Sequence, residues 1–155
     1  MPQSDRTSAA RGKQMAVMAT ISHEKSTDPE IGELLEKATK DMNELSTSCG
    51  EGENDDLATA KRILELEKKA YQKRICIPAE LAARKAELEA SANYAWVKAR
   101  QNNDFASFAP SLKDCFDTAK EIAELQRGEK KDISLYSQML DEFEMGMPAE
   151  RIDEL

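Results

Sequence analysis

Hydrophobic positions recur at three- and four-residue steps along most of the chain, the period of one buried helix face. The first such segment, about Ser4 to Lys25, is weakly patterned and places Ala10, Val17, Met18 and Ile21 on one side. A second opens at Asp28-Pro29-Glu30. There an acceptor side chain, a proline with φ preset for the first turn, and an acid at the positive helix end follow one another. Behind them Ile31, Leu34, Leu35, Ala38, Met42 and Leu45 form a stripe. Ser46 to Asp56, with Gly50, Gly52 and Asn54, reads as a loop between two similar helices and not as a domain linker. A third helix is expected from Leu57 to Arg74, capped by Asp55 or Asp56, with Leu57, Ala60, Ile63, Leu64, Ala70 and Tyr71 on its apolar face.

Ile77-Pro78-Ala79-Glu80 stops the chain and restarts it, because proline suits the first turn of a helix. The fourth helix runs to about Asn102 with Leu81, Leu88, Ala92, Ala95, Trp96 and Ala99 inward. Asn103 or Asp104 begins a short aromatic turn holding Phe105 and Phe108, Asp104 reads as an N-cap, and Trp96, Phe105 and Phe108 are expected to pack the fourth helix against a fifth that Pro110 opens. Leu112, Cys115, Phe116, Ala119, Ile122 and Ala123 give that helix its stripe, and Gly128 its stop. A sixth helix, near Asp132 to Met145, is expected to bury Tyr136, Met139, Leu140 and Phe143 and to end at Gly146. Pro148-Ala149-Glu150 repeats the start signal of Pro78 as helix-start chemistry, not as an internal repeat. The seventh helix it opens reaches only Leu155, about two turns, which is marginal without a partner. A continuation beyond Leu155 is therefore expected. The fold class is all-α: six to seven amphipathic helices in antiparallel hairpins or a bundle, part of a larger helical fold.

Composition narrows the function. At 155 residues the chain can build one core, and with charged residues at 34% and aromatics at 5% it favours helices over sandwiches or barrels. The longest uncharged stretch, Gln14 to His23, is half of the roughly 20 residues a membrane span needs. A net charge of -8 with interspersed signs lacks the basic footprint of a nucleic-acid binder. Cys49, Cys76 and Cys115 are odd in number and widely spaced, giving neither a disulfide framework nor a Cys-x-x-Cys clip. With no apolar signal core at the N-terminus, the expected compartment is reducing, cytoplasmic or an organelle interior, and not secreted.

Candidate chemistry is sparse. His23 is the single histidine, and the zinc helix H-E-x-x-H needs two imidazoles four residues apart. His23-Glu24 starts that pattern, but its second position is Thr27, before the Asp28-Pro29 break, so His23 reads as a surface residue. The acids Glu51, Glu53, Asp55 and Asp56, and Asp141, Glu142 and Glu144, lack the alternation, central glycine and distal glutamate of a calcium loop. They read as solvated helix ends. None of the cysteines has a histidine at useful spacing, and Cys115 on an apolar stripe reads as a packing residue. No Gly-rich phosphate loop or G-x-S-x-G elbow is present, and Ile152-Asp153-Glu154-Leu155 is read as a chance likeness to a retrieval tail. The expectation is no catalytic, cofactor-binding or metal-binding residue in these 155.

Three blocks in order nevertheless carry a resemblance. Trp96-Val97-Lys98-Ala99-Arg100-Gln101-Asn102-Asn103-Asp104-Phe105, continuing through Phe108 and Pro110 to Leu112, resembles the W-x-x-A-R-x-x-N-D-F-x-x-F-x-P-x-L of the carboxypeptidase Taq family. Tyr136 with Leu140-Asp141-Glu142-Phe143-Glu144-Met145-Gly146-Met147 is similar to its Y-x-x-L-L-D-E-Y-E-P-G-M, with Phe143 for tyrosine and Met145 for proline. Gln14-Met15-Ala16, His23 and Thr27-Asp28-Pro29-Glu30-Ile31-Gly32-Glu33-Leu34-Leu35 are similar to Q-x-A, a histidine and T-D-P-E-L-G-x-L-L, and Met1-Pro2 to an internal Met-Pro just before them. The resemblance implies a helical, usually homodimeric zinc peptidase that removes C-terminal residues from peptides. Zinc there is held by an H-E-x-x-H helix and a downstream glutamate, all beyond the matched region. Residues 1–155 would then be the N-terminal helical region without the catalytic zinc-binding part, able to act on a peptide only when that part is present. The alternative is a non-catalytic helical structural or assembly subunit derived from that family. On either account homodimers or a larger protein assembly are the expected partners.

Overall fold

A computed structural model describes residues 5–48, 55–130 and 132–154, which form seven helices and, among the described residues, no strand. The helices are α1 (Asp5–Ser26), α2 (Pro29–Ser48), α3 (Asp55–Ile75), α4 (Ala79–Asn102), α5 (Phe105–Arg127), α6 (Leu135–Leu140) and α7 (Ala149–Asp153). They fall into two compact units, one of residues 1–20 with 77–155 and the other of residues 21–76.

In the unit of residues 21–76, α2 and α3 form an antiparallel hairpin. Asp28 starts α2 by accepting the Glu30 amide on Oδ1 at 3.0 Å, the local chemistry that made this boundary legible. Tyr71 lies across Gly32, where an added Cβ would stand 3.0 Å from the hydroxyl and 3.1 Å from the ring. The same hydroxyl donates to the Asp28 carbonyl at 3.2 Å. Further along, Lys68 pairs with Glu36 at 2.8 Å and donates to Thr39 Oγ1 at 3.4 Å. A helix-start residue, a glycine and an aromatic ring thus set the register.

In the other unit, α4 and α5 pack antiparallel, with Leu81, Ala92 and Ala99 buried on one helix and Thr118, Ile122 and Ala123 on the other. Small side chains let the two backbones approach closely. Arg84 donates to Glu121 across the outside of the pair. Residues 5–20 of α1 contribute buried Ser8 and Gly12, the latter in contact with Glu87 of α4. Arg127 donates to the Ile133 carbonyl at 3.2 Å, and Ser134 caps α6 by accepting the Ser137 amide at 3.0 Å. The Ser137 hydroxyl in turn accepts the Ala149 amide that opens α7, at 2.9 Å.

Three expectations are corrected. The fifth helix opens at Phe105, not Pro110: Asp104 is its N-cap, accepting the Ser107 amide at 3.2 Å, and Pro110 lies inside the helix. A satisfied cap six residues upstream outranks the proline's preference for the first turn. The sixth helix spans Leu135–Leu140 instead of Asp132 to Met145. Asp141, Glu142 and Glu144 stand at its negative C-terminal end, where acids oppose extension, and Asp141 Oδ1 takes the Gly146 amide at 2.9 Å to fold the segment into a turn.

The third correction concerns burial. Val17 and Met18 of α1, Ile63 of α3, Trp96 of α4, Phe116 of α5 and Tyr136 and Phe143 near α6 are all exposed. Among the described residues no side chain is under 2 % exposed. Periodicity identified apolar faces that these residues do not themselves cover.

Candidate functional site

His23, the one imidazole, sits half-buried near the end of α1. Its carbonyl accepts the Thr27 amide at 2.9 Å, the Thr27 hydroxyl at 2.8 Å and the Ser26 hydroxyl at 3.1 Å. The residue at the place of a second zinc histidine therefore closes a helix end. Among the described residues, no three of His, Cys, Asp and Glu come together as a metal would require.

The cysteines are separate. Cys115 is half-buried on α5, and burial, then Glu89 and Asp114, push its thiol above the usual range. That disfavours the thiolate a nucleophile needs. Cys76 is exposed, and its S–H donates to the Gln72 carbonyl at 3.0 Å. Cys49, Glu51 and Glu53 lie outside the described residues. Asp55 and Asp56 stand in the first turn of α3, where the dipole favours them. Glu142 and Glu144 are exposed. The turn at 141–146 closes through Asp141 and Gly146 (φ 76°) although Met145 stands where the resemblance has proline.

The most distinctive concave feature is at the α4–α5 turn. Asn103 ends α4 in the left-handed region (φ 53°, ψ 38°), and the Asp104 amide reaches back to the Ala99 carbonyl at 2.9 Å. This sharp reversal sets Trp96, Ala99 and Arg100 of α4 against Asn103, Asp104, Phe105 and Phe108 around a cleft of about 210 Å³. Trp96 is 49 % and Phe105 67 % exposed, while Phe108 is half-buried. The sequence expectation that all three pack α4 onto α5 holds best for Phe108. The cleft offers three aromatic side chains, a guanidinium and a carboxylate already engaged as a cap, a set suited to binding and not to bond-breaking. A second, wider groove of about 540 Å³ runs between α2 and α3, past Thr39, Met42, Asn43, Lys61, Leu64 and Lys68.

Comparison with known proteins gives the context. A sequence profile of the carboxypeptidase Taq (M32) metallopeptidases matches residues 1–155. Thermostable carboxypeptidase 1 of Thermus thermophilus is 33% identical over 151 residues, which are 92% of this chain and 27% of that enzyme. Metallocarboxypeptidase 1 of Trypanosoma cruzi superimposes with a TM-score of 0.70 at 31% identity, covering 99% of this chain and 28% of that one. The crystal structure of BsuCP has a TM-score of 0.78 at 23% identity over the same shares, a likeness of fold. The chain thus spans just over a quarter of the length of the relatives it matches. No helix among the described residues is long and apolar enough to cross a membrane.

Proposed function

The chain belongs to the carboxypeptidase Taq metallopeptidase family, and on that premise we propose that it supplies the N-terminal helical portion of a zinc metallocarboxypeptidase that releases C-terminal residues from peptides. The observation that carries the reading is the family match over residues 1–155 in a chain that spans 27% of its Thermus relative. The metal that the family name implies does not fit the described residues, among which no group of three metal-ligating side chains converges. No catalytic step is therefore assigned to them. Their contribution is scaffolding: two helical hairpins whose registers are set by Tyr71 on Gly32 and by the Asp104 reversal.

The test is a zinc-dependent assay for release of C-terminal amino acids. The 155-residue chain alone is expected to be inactive. Joined to the part of the Thermus enzyme outside the matched segment, it is expected to restore release that a chelator abolishes. Activity of the unjoined chain would overturn the scaffolding role. A joined protein that folds but stays inactive would favour the alternative of a non-catalytic helical subunit.

A further inference from the structure

We propose that the cleft at the α4–α5 turn is a binding site for a free α-amino acid with an aromatic side chain, its carboxylate on Arg100, its ammonium on Asp104 and its ring among Trp96, Phe105 and Phe108.

The cleft follows from helix geometry. Trp96, Ala99, Arg100 and Asn103 recur at three- and four-residue steps and so share one face of α4. In the middle of that face stands Ala99, a buried methyl, whose short reach leaves room beside the indole and the guanidinium. Asn103, at φ 53°, then turns the chain back and brings Phe105 and Phe108 of α5 onto the same cleft. The resulting space of about 210 Å³ is below the roughly 300 Å³ at which pockets for drug-sized ligands begin. The occupant it suits is a molecule of about a dozen non-hydrogen atoms.

Two charges choose the ligand class. The Arg100 guanidinium makes no ion pair or hydrogen bond among the described residues. Asp104 Oδ1 accepts the Ser107 amide at 3.2 Å, and Oδ2 stays open as an acceptor among the described residues. The two side chains line one cleft without pairing with each other, so each charge is available to a ligand. A simple anion would be repelled by Asp104 and a simple cation by Arg100. A zwitterion satisfies both, through hydrogen bonds strengthened by charge, and the planar guanidinium fork matches a carboxylate. The three aromatic side chains reward a flat apolar ring, which stacks on them offset or edge to face. Release of C-terminal residues from peptides yields molecules of this class, but the site stands on the cleft itself and not on that reading.

Trp96 is the single tryptophan, so its emission reports on the cleft directly. L-phenylalanine added to the 155-residue chain is expected to change that emission saturably, with a dissociation constant in roughly the millimolar range for so few atoms. Glycine lacks the ring, phenylpropionate the ammonium and phenethylamine the carboxylate, and each is expected to bind several-fold more weakly. Arg100→Gln should remove the advantage of phenylalanine over phenethylamine. Asp104→Asn, which keeps a capping side chain, should remove its advantage over phenylpropionate. No saturable change with phenylalanine overturns the site. Equal binding of phenylalanine and either one-charge analogue overturns the choice of a zwitterion, and this series on the unaltered chain decides without either variant. A response that both variants leave intact places the ligand elsewhere and overturns the assignment. Because no peptidase activity is read, failure here leaves the family reading untouched.

Discussion

At the scale of single residues, two helical glycines make opposite predictions from the same chemistry. Alanine gains about 0.8–1 kcal/mol over glycine in a helix interior, unless its methyl has nowhere to go. At Gly12 the added Cβ would meet Glu87 Cγ at 3.3 Å and its carbonyl at 3.4 Å. The first is part of a flexible side chain and the second is ordinary contact. Gly12→Ala is expected to stabilise the protein by a few tenths to about 1 kcal/mol in urea unfolding. At Gly32 the same atom would stand 3.0–3.3 Å from the Tyr71 hydroxyl and ring, and moving that ring breaks its bond to the Asp28 carbonyl. Gly32→Ala is therefore expected to lose about 1 kcal/mol despite the propensity gain. Part of that loss should vanish in a Tyr71→Phe background, a coupling that a double-mutant cycle reads directly. Equal effects at the two glycines would refute the packing argument. Asp104→Ala, which strips the cap from α5, should cost about 0.5–2 kcal/mol in the same assay.

Helix by helix, starts were more legible than ends. Asp28-Pro29 and Pro78 announce α2 and α4 because the stereochemistry of a first turn is local. Pro110 misled for the same reason: its signal is local too, but the Asp104 cap had already begun the helix. As the sixth residue of α5, Pro110 cannot donate the amide that Ala106 would accept. Pro110→Ala is expected to raise the melting temperature, by a free energy that stays below the roughly 3 kcal/mol of a mid-helix proline. No change would mean that the helix already relaxes around the ring. In the α2–α3 hairpin, the hydrogen bond and charge of Lys68 hold the Glu36 carboxyl below its ordinary 4.5. A carboxyl with a lowered folded-state pKa contributes stability above its unfolded pKa and loses it as pH falls through the folded value. Because Glu36 is exposed, that contribution is small. An NMR titration should nevertheless find its midpoint depressed, and Lys68→Met should return it toward 4.5.

For the molecule as a whole, the pattern of hydrophobic positions specified the all-α class. It could not specify burial. Periodicity shows which side of a helix is apolar, but only a neighbouring surface decides whether Val17, Trp96 or Phe116 is covered, and such a neighbour is not encoded in local spacing. The cleft at the α4–α5 turn was half legible on the same account: its residues stood out as a block, while its openness did not. That openness has a thermodynamic consequence. Buried hydrophobic side chains are Leu81, Ala92, Ala99, Ile122 and Ala123 among the described residues, three of them alanines with little apolar area to remove from water. Ordering the chain carries its full entropic cost regardless. The isolated 155 residues are therefore expected to unfold in urea with a stability below the roughly 5 kcal/mol at which ordinary domains begin. Phe116→Ser should shift that value by no more than about 0.5 kcal/mol, as an exposed substitution does. A large loss in the isolated chain would mean that Phe116 is already in a core.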